Sequence, residues 1–182
     1  MQYIKFYLMT AILIACNSQT PANFSEIYEN LLQTHLSSMN TGIMTHHASG
    51  TKFPVFLAIT PEEQARGLSQ LADKDFPDSF GMLFLNEEMA PRTFWMPDTY
   101  FDLDIIFLDE SFKIVMIDKN VPHHPGRSET PPIYRTPSVE AMHILEVKAG
   151  SSLSKLIQNG DTVSWDKEII PLRKLAESHR SQ

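Results

Sequence analysis

The stretch FWMPDTYFDLDIIFLDESFKIVMID, Phe94 to Asp118, is where the fold is decided. Two apolar runs, LDIIFLD (103–109) and KIVMID (113–118), flank Glu110, Ser111 and Phe112 and read as a β-hairpin. On a strand, Asp102, Asp104, Ile106 and Leu108 share one face, and Leu103, Ile105 and Phe107 share the other. Asp104 therefore stands in line with core residues. A buried carboxylate needs donors or a cation, or takes up a proton. Phe94 to Met96 reads as a strand and Pro97 to Tyr100 as a turn. Trp95 and Met96 are adjacent, so one faces the core while the other is free to line a groove.

Outward from the hairpin the chain alternates short strands with few helices. FPVFLAI (53–59) is rich in strand formers, with Pro54 pointing to an edge or a strand start. Thr60-Pro61-Glu62-Glu63 opens a helix that ends near Gly67, with a hydroxyl at the N-cap, proline at N1 and glutamate at N3. GMLFL (81–85), HILEV (143–147) and TVSW (162–165) read as strands, and Ser151 and Ser152 cap a helix to about Gln158. Val121 to Ser138 is a long loop stiffened by prolines. Upstream, apolar residues from Phe24 to Met39 recur at helical spacing, and Thr41 to Gly50 reads as a flexible stretch. The pattern predicts an α+β fold: a curved antiparallel sheet or small β-barrel with two or three short helices.

The first fifteen residues read as a secretory signal peptide, 1–15, with Lys5 before an apolar run too short to span a bilayer, which takes roughly 20 residues. Leu13-Ile14-Ala15-Cys16 resembles the lipobox of bacterial lipoproteins, in which cleavage precedes the cysteine and its sulfur carries diacylglycerol. Cys16 is the sole cysteine, so it forms no internal disulfide. Thioether lipidation with N-acylation supplies the two signals that stable anchoring needs. By the usual rule for such lipoproteins, Asn17 after the cysteine favours the outer membrane, facing the periplasm. The expected organisation is a lipidated tether over 16–51 with an amphipathic helix near 24–39, a barrel-like domain over 52–166 and a tail over 167–182. The formal charge is −7, with 15 basic against 22 acidic residues. That balance argues against nucleic acid as a partner and leaves membrane attachment to the lipid.

Arg66-Gly67-Leu68, Gly81-Met82-Leu83-Phe84, Phe94-Trp95-Met96 with Thr99, Leu103 to Phe107, Leu145-Glu146 with Ala149-Gly150, and Gly160-Asp161 occur in that order. The set resembles the domain of unknown function 192 family, small and often exported domains, over about 52–166. The resemblance implies a compact α+β, barrel-like fold and no particular activity. The chain departs from the family pattern at Leu68-Ser69-Gln70, at Pro97-Asp98 and at Asp102, where basic positions are lost and acids gained.

The candidate groove is Arg66, Trp95, Asp98, Thr99 and Asp104. Asp104 is expected to pair with Arg66 or with backbone N–H groups, or to face a pocket. Asp98 suits an Asx turn. The 121–138 loop carries His123, His124 and Tyr134, and a binding mouth is expected between it and the 97–104 turn. His46-His47 and His123-His124 lack the ligand spacing of a metal site. No P-loop, Rossmann glycine pattern or nucleophile elbow occurs, and no cofactor is implied. The sequence therefore points to a lipid-anchored envelope protein that binds a small molecule or a protein without catalysis. The alternatives are a hydrolase using a carboxylate/His pair and a periplasmic metal-binding protein.

Overall fold

A computed structural model describes residues 24–175. Ten strands are present: β1 Asn40–His46, β2 Thr51–Ala58, β3 Gly81–Phe84, β4 Ala90–Arg92, β5 Leu103–Leu108, β6 Ile114–Val121, β7 Val139–Ala141, β8 His143–Lys148, β9 Val163–Trp165 and β10 Ile170–Pro171. The α-helices are α1 Phe24–Leu31, α2 Pro61–Arg66 and α3 Ser152–Leu156. The main sheet runs β10-β1-β2-β3-β8-β5-β6, with β9 also on β1, and β4 and β7 form a separate ribbon. The fold is α+β, a strongly curled half-barrel. Bonds from Ile114 N–H to the Asp161 carbonyl (2.9 Å) and from Val163 N–H to the Phe112 carbonyl (3.1 Å) tie the β6 side to the β9 side.

The 103–118 hairpin forms as its alternation predicts, β5 pairing antiparallel with β6. Every residue of β5 is buried. Leu103, Ile105 and Phe107 join one core with Met82, Phe84, Met96 and Ile144. Ile106 and Leu108 join the opposite core with Leu83, Leu145, Val147 and Leu153 of α3. One pairing departs from the expected antiparallel sheet: β2 and β3 run parallel, joined through α2. Pro54 is no edge marker, because β2 is paired on both sides. It is opposite Ile43 of β1, one residue before the β3 pairing begins at Val55.

The helix expected over 24–39 stops at Leu31. The Thr34 hydroxyl donates to the Leu31 carbonyl (2.8 Å) and accepts from Leu36 N–H (3.2 Å), starting a 3₁₀ turn over His35–Ser38. Short hydroxyl side chains compete with the helix ladder in this way. Leu31, Leu36 and Met39 are buried in the first core, so this segment packs on the domain.

The stretch 41–50 is not a flexible tether. Asn40–His46 is a strand with neighbours on both sides, and the domain begins there, not at 52. The polar letters of NTGIMTH hide it, yet Thr41, Met44 and His46 are all buried. His46 bonds Asp161 Oδ2 (2.9 Å) and Ser49 Oγ (2.9 Å). Gly42 is required because a Cβ there would meet Trp165 Nε1 at 2.6 Å.

Phe94 to Met96 is not a strand either. Its one ladder contact is a bridge between Trp95 and Arg135, and Trp95 is 47% exposed.

Asp104, 1% exposed, does not pair with Arg66. Its carboxylate accepts from Asn120 N–H (2.9 Å) and the Ser154 hydroxyl (2.6 Å), with Lys119 Nζ at 4.0 Å. It joins β5, the end of β6 and α3. Asp104→Ala strands both donors and is expected to destabilise the protein by about 2–4 kcal/mol. Asp104→Asn, which keeps an acceptor oxygen, should cost less. Urea unfolding measures both, and an alanine variant as stable as the parent would show that the carboxylate does not hold this junction.

Candidate functional site

Two turns build the site. The first ends α2. The Thr60 hydroxyl accepts from Glu63 N–H (3.2 Å), and the Glu63 carboxylate accepts from Ile59 and Thr60 N–H (each 2.9 Å). This capping box fixes where α2 starts, and Gly67 ends it at φ 48°, a conformation that favours glycine. Arg66 is thus held at the C-terminal end of a six-residue helix. Leu68 follows into the core. The second turn is Pro97 to Thr99, with Asp98 at φ 55°. The turns are sewn together by Gln70 N–H to the Asp98 carbonyl (2.7 Å) and the Ser69 hydroxyl to the Pro97 carbonyl (3.1 Å).

Between them opens a pocket of about 320 Å³. Its walls come from the 64–69 segment, Phe84 and Asn86 after β3, and the run from Arg92 to Thr99; Leu103 and Glu146 complete the lining. Phe94 stacks edge-on to Phe84, centroids 5.1 Å apart. Gln64 is locked by bonds to the Leu85 carbonyl (2.8 Å) and the Ala58 carbonyl (3.3 Å).

Glu146 is the unusual member. It sits in β8 between Met82 of β3 and Ile105 of β5, and is 5% exposed. Among the described residues its carboxyl has no hydrogen bond and no ion-pair partner in the protein; the fully sealed polar side-chain atom without a partner is Trp165 Nε1, so the Glu146 oxygens keep contact with the open pocket. Burial pushes it up to about 8, so it is neutral at pH 7. A neutral carboxyl both donates and accepts a hydrogen bond.

The other ionisable groups in the lining are Arg66 and Arg92. No described carboxylate lies within ion-pair distance of either. Arg92 is oriented by bonds from Nε to the Ala141 carbonyl (3.0 Å) and from Nη2 to the Glu88 carbonyl (2.8 Å). Both charges are felt nearby. Burial first, and the Arg66 charge after it, lower His35, against its bond to the Gly67 carbonyl. Burial, then Arg92, lower His143.

The sequence candidates divide. Arg66, Trp95 and Thr99 line the pocket. Asp98 does not: its carboxylate pairs with Arg127, in place of an Asx turn. Asp104 lies on the opposite face of the sheet from Glu146. The long loop packs behind the 97–99 turn, through Asp98 N–H to the Gly126 carbonyl (2.9 Å) and Thr99 N–H to the His124 carbonyl (3.2 Å). It is a buttress and not a mouth. His123 bonds Asp102 (2.6 Å), both 48% exposed, and its backbone N–H bond to that carboxylate is the main cause holding Asp102 below the usual range. The His124 ring bonds the Gly126 and Pro131 carbonyls, and Tyr134 donates to Asp118 (3.0 Å). Cys16 lies outside the described residues. Among the described residues, no group of three His, Cys, Asp or Glu side chains is placed to hold a metal ion, and no helix is long and apolar enough to cross a membrane.

Sequence reasoning missed Glu146, Arg92 and Gln64. Glu146 carried a readable signal, since an acid inside HILEV stands at the same kind of position as Asp104 inside LDIIFLD.

The family model described as DUF192, uncharacterised ACR, matches residues 43–165. The chain belongs to this family. The DUF192 match starts inside β1, in keeping with that strand's place in the domain. No curated protein matches the chain. Solved structures similar to the chain include two bacterial proteins. One, from Sinorhizobium meliloti 1021 and described as a "putative transcription regulator", is 26% identical over 70% of this chain and 94% of its own, with a TM-score of 0.55. The other, from Novosphingobium aromaticivorans DSM 12444 and described as of unknown function, is 29% identical over 69% and 84%, with a TM-score of 0.54.

Glu146 links stability to pH. Its pKa is about 8 folded and near 4.5 unfolded, so the folded state holds the extra proton between those values. Stability then falls as pH rises through this window, by up to about 1.4 kcal/mol per unit, and levels off above it. Lys148, two residues along β8, is held by Asp73 (3.1 Å) and Asp78 (3.0 Å). Glu146→Gln should be more stable than the parent by a margin that widens from pH 5 to pH 8, in chemical denaturation series. A margin that does not change with pH would refute the buried neutral acid.

Proposed function

We propose that this DUF192 protein is a lipid-anchored envelope domain that binds a small molecule in the pocket between the α2 turn and the 92–99 segment, without converting it. The observation that carries the reading is the Glu146 carboxyl, buried at the pocket and left without a protein partner. Desolvating such a group is costly, and a ligand able to hydrogen-bond it would offset that cost. The volume, about 320 Å³, is at the small end of the range for ligand sites.

Binding is favoured over hydrolysis by the lining. No histidine is in it, and the Ser69 and Thr99 hydroxyls both turn onto the Pro97 carbonyl. The Asp102–His123 pair stands outside it on the surface. The excess of acids argues against carrying over the regulator description of the Sinorhizobium neighbour, because a duplex would be repelled.

The membrane part of the reading rests on Leu13-Ile14-Ala15-Cys16, with attachment at the outer membrane facing the periplasm. Cys16→Ala should move the protein from the membrane pellet to the soluble fraction, or leave it unprocessed. A variant still labelled by radioactive fatty acid and still pelleting would refute the anchor. For the pocket, compounds that bind the full-length protein should shift the Trp95 indole and Thr99 amide signals in NMR titrations. A library whose binders all shift other regions would refute the site.

A further inference from the structure

We propose that the pocket selects a small organic carboxylate, its anionic head on Arg66 and Arg92 and its apolar body against the aromatic lining. The inference rests on the pocket reading above and adds the class of ligand.

The charge pattern is the first ground. The chain has 22 acidic residues against 15 basic, yet two guanidinium groups line one pocket with no described carboxylate in ion-pair distance. Surface arginines on such a chain ordinarily find acids, as Arg127 finds Asp98 and Arg135 finds Glu129. Arg92 uses two of its five N–H groups on carbonyls, which fixes the plane of the fork and leaves three for a ligand. A planar fork suits a carboxylate, which accepts two parallel bonds.

The second ground is the valence of the anion. Arg66 stands at the C-terminal end of α2, the negative end of the helix dipole. Glu146 adds a carboxyl to the same pocket. A phosphate dianion would meet the negative end of α2 and would favour the charged-donor cluster of a helix N-terminus, which the segments in the lining do not present. A singly charged head meets less opposition, and the neutral Glu146 carboxyl donates to an oxygen of the ligand.

The third ground is the apolar lining. Phe84, Phe94, Trp95, Met96, Leu68 and Leu103 provide flat and aliphatic surface, and Trp95 keeps nearly half of its area open. Arg135 lies 5.2 Å from the Trp95 ring centroid, steadying the indole.

The test uses three probes with one body: phenylacetate, phenylacetamide and phenethylamine. Each is titrated into the full-length protein at pH 6.5, following the Trp95 indole and Thr99 amide by NMR. Phenylacetate is expected to bind at least about tenfold more tightly than the amide, the amine more weakly still. Arg66→Gln should weaken phenylacetate at least about fivefold more than it weakens the amide, and unfolding curves verify that the variant folds. If the amide matches the acid, or the amine binds best at these signals, the carboxylate assignment is wrong and the pocket reading stands. If none of the three shifts these signals at millimolar concentration, both fall.

Discussion

The pairing of β5 with β8, buried on both faces, is the constraint around which the molecule is arranged. Asp104 lies opposite Val147, and Ile105 opposite Glu146, so two carboxyls occupy adjacent rungs of one ladder on opposite faces of the sheet. Asp104 is shut away from water, and Glu146 meets it only through the pocket. A sheet that buries two acids so close together must supply donors to each or keep one neutral. The structure does one on each face. Asp104 receives an amide and a hydroxyl, and those two bonds position the end of β6 and α3. Glu146 receives nothing from the protein and faces a space bounded by other side chains. The same physics therefore separates a structural acid from a site acid. What differs is whether the fold provides partners.

That space is not a packing fault. It is closed by the α2 turn and the 97–99 turn, each held by specific bonds: the capping box, the left-handed Gly67, and the Gln70 and Ser69 contacts to the opposite turn. The 121–138 loop braces the second turn from behind. Walls fixed in this way keep a cavity open at a size that neighbouring side chains would otherwise collapse to fill. Rigid walls also lower the entropic cost of binding, because little must be ordered when a ligand enters.

Much of this was legible in the letters. Alternation alone gave the 103–118 hairpin, the Thr60–Glu63 pattern gave α2, and the motif set pointed to the family. The failures have physical causes. β1 is written in polar residues, because Thr41 donates to the Ile170 carbonyl (2.6 Å) and His46 bonds Asp161, so neither needs an apolar side chain to be buried. Phe94 to Met96 has strand composition, but its neighbours are turns and a loop. Of the candidate groove residues, Arg66, Trp95 and Thr99, picked out through chemistry near a motif, line the pocket. Asp98 and Asp104 were attractive for the same reason and proved to be satisfied elsewhere. No local pattern reveals whether an acid in a buried strand will meet a donor on α3 or an open pocket, since that depends on elements far along the chain: Ser154 for Asp104 and Gln64 to Ser69 for Glu146.

Hydrogen-bond satisfaction is thus a sharper guide to function here than acidity or exposure. Asp102, Asp98 and Asp104 outnumber Glu146 and sit in the more conspicuous stretch, but each has its acceptors used by a named donor. Glu146 and Arg66 are the ionisable groups in the lining whose side chains the protein leaves unbonded among the described residues. They do not cancel each other as an ion pair, although they line the same cavity. Each is left with hydrogen-bonding capacity that the protein does not use, which is the ground of the proposed binding role. A fold that only required stability would gain by replacing Glu146 with an apolar residue of similar size, because burying an unpaired carboxyl costs several kcal/mol. The stability given up at Glu146 is what the proposed binding role would explain.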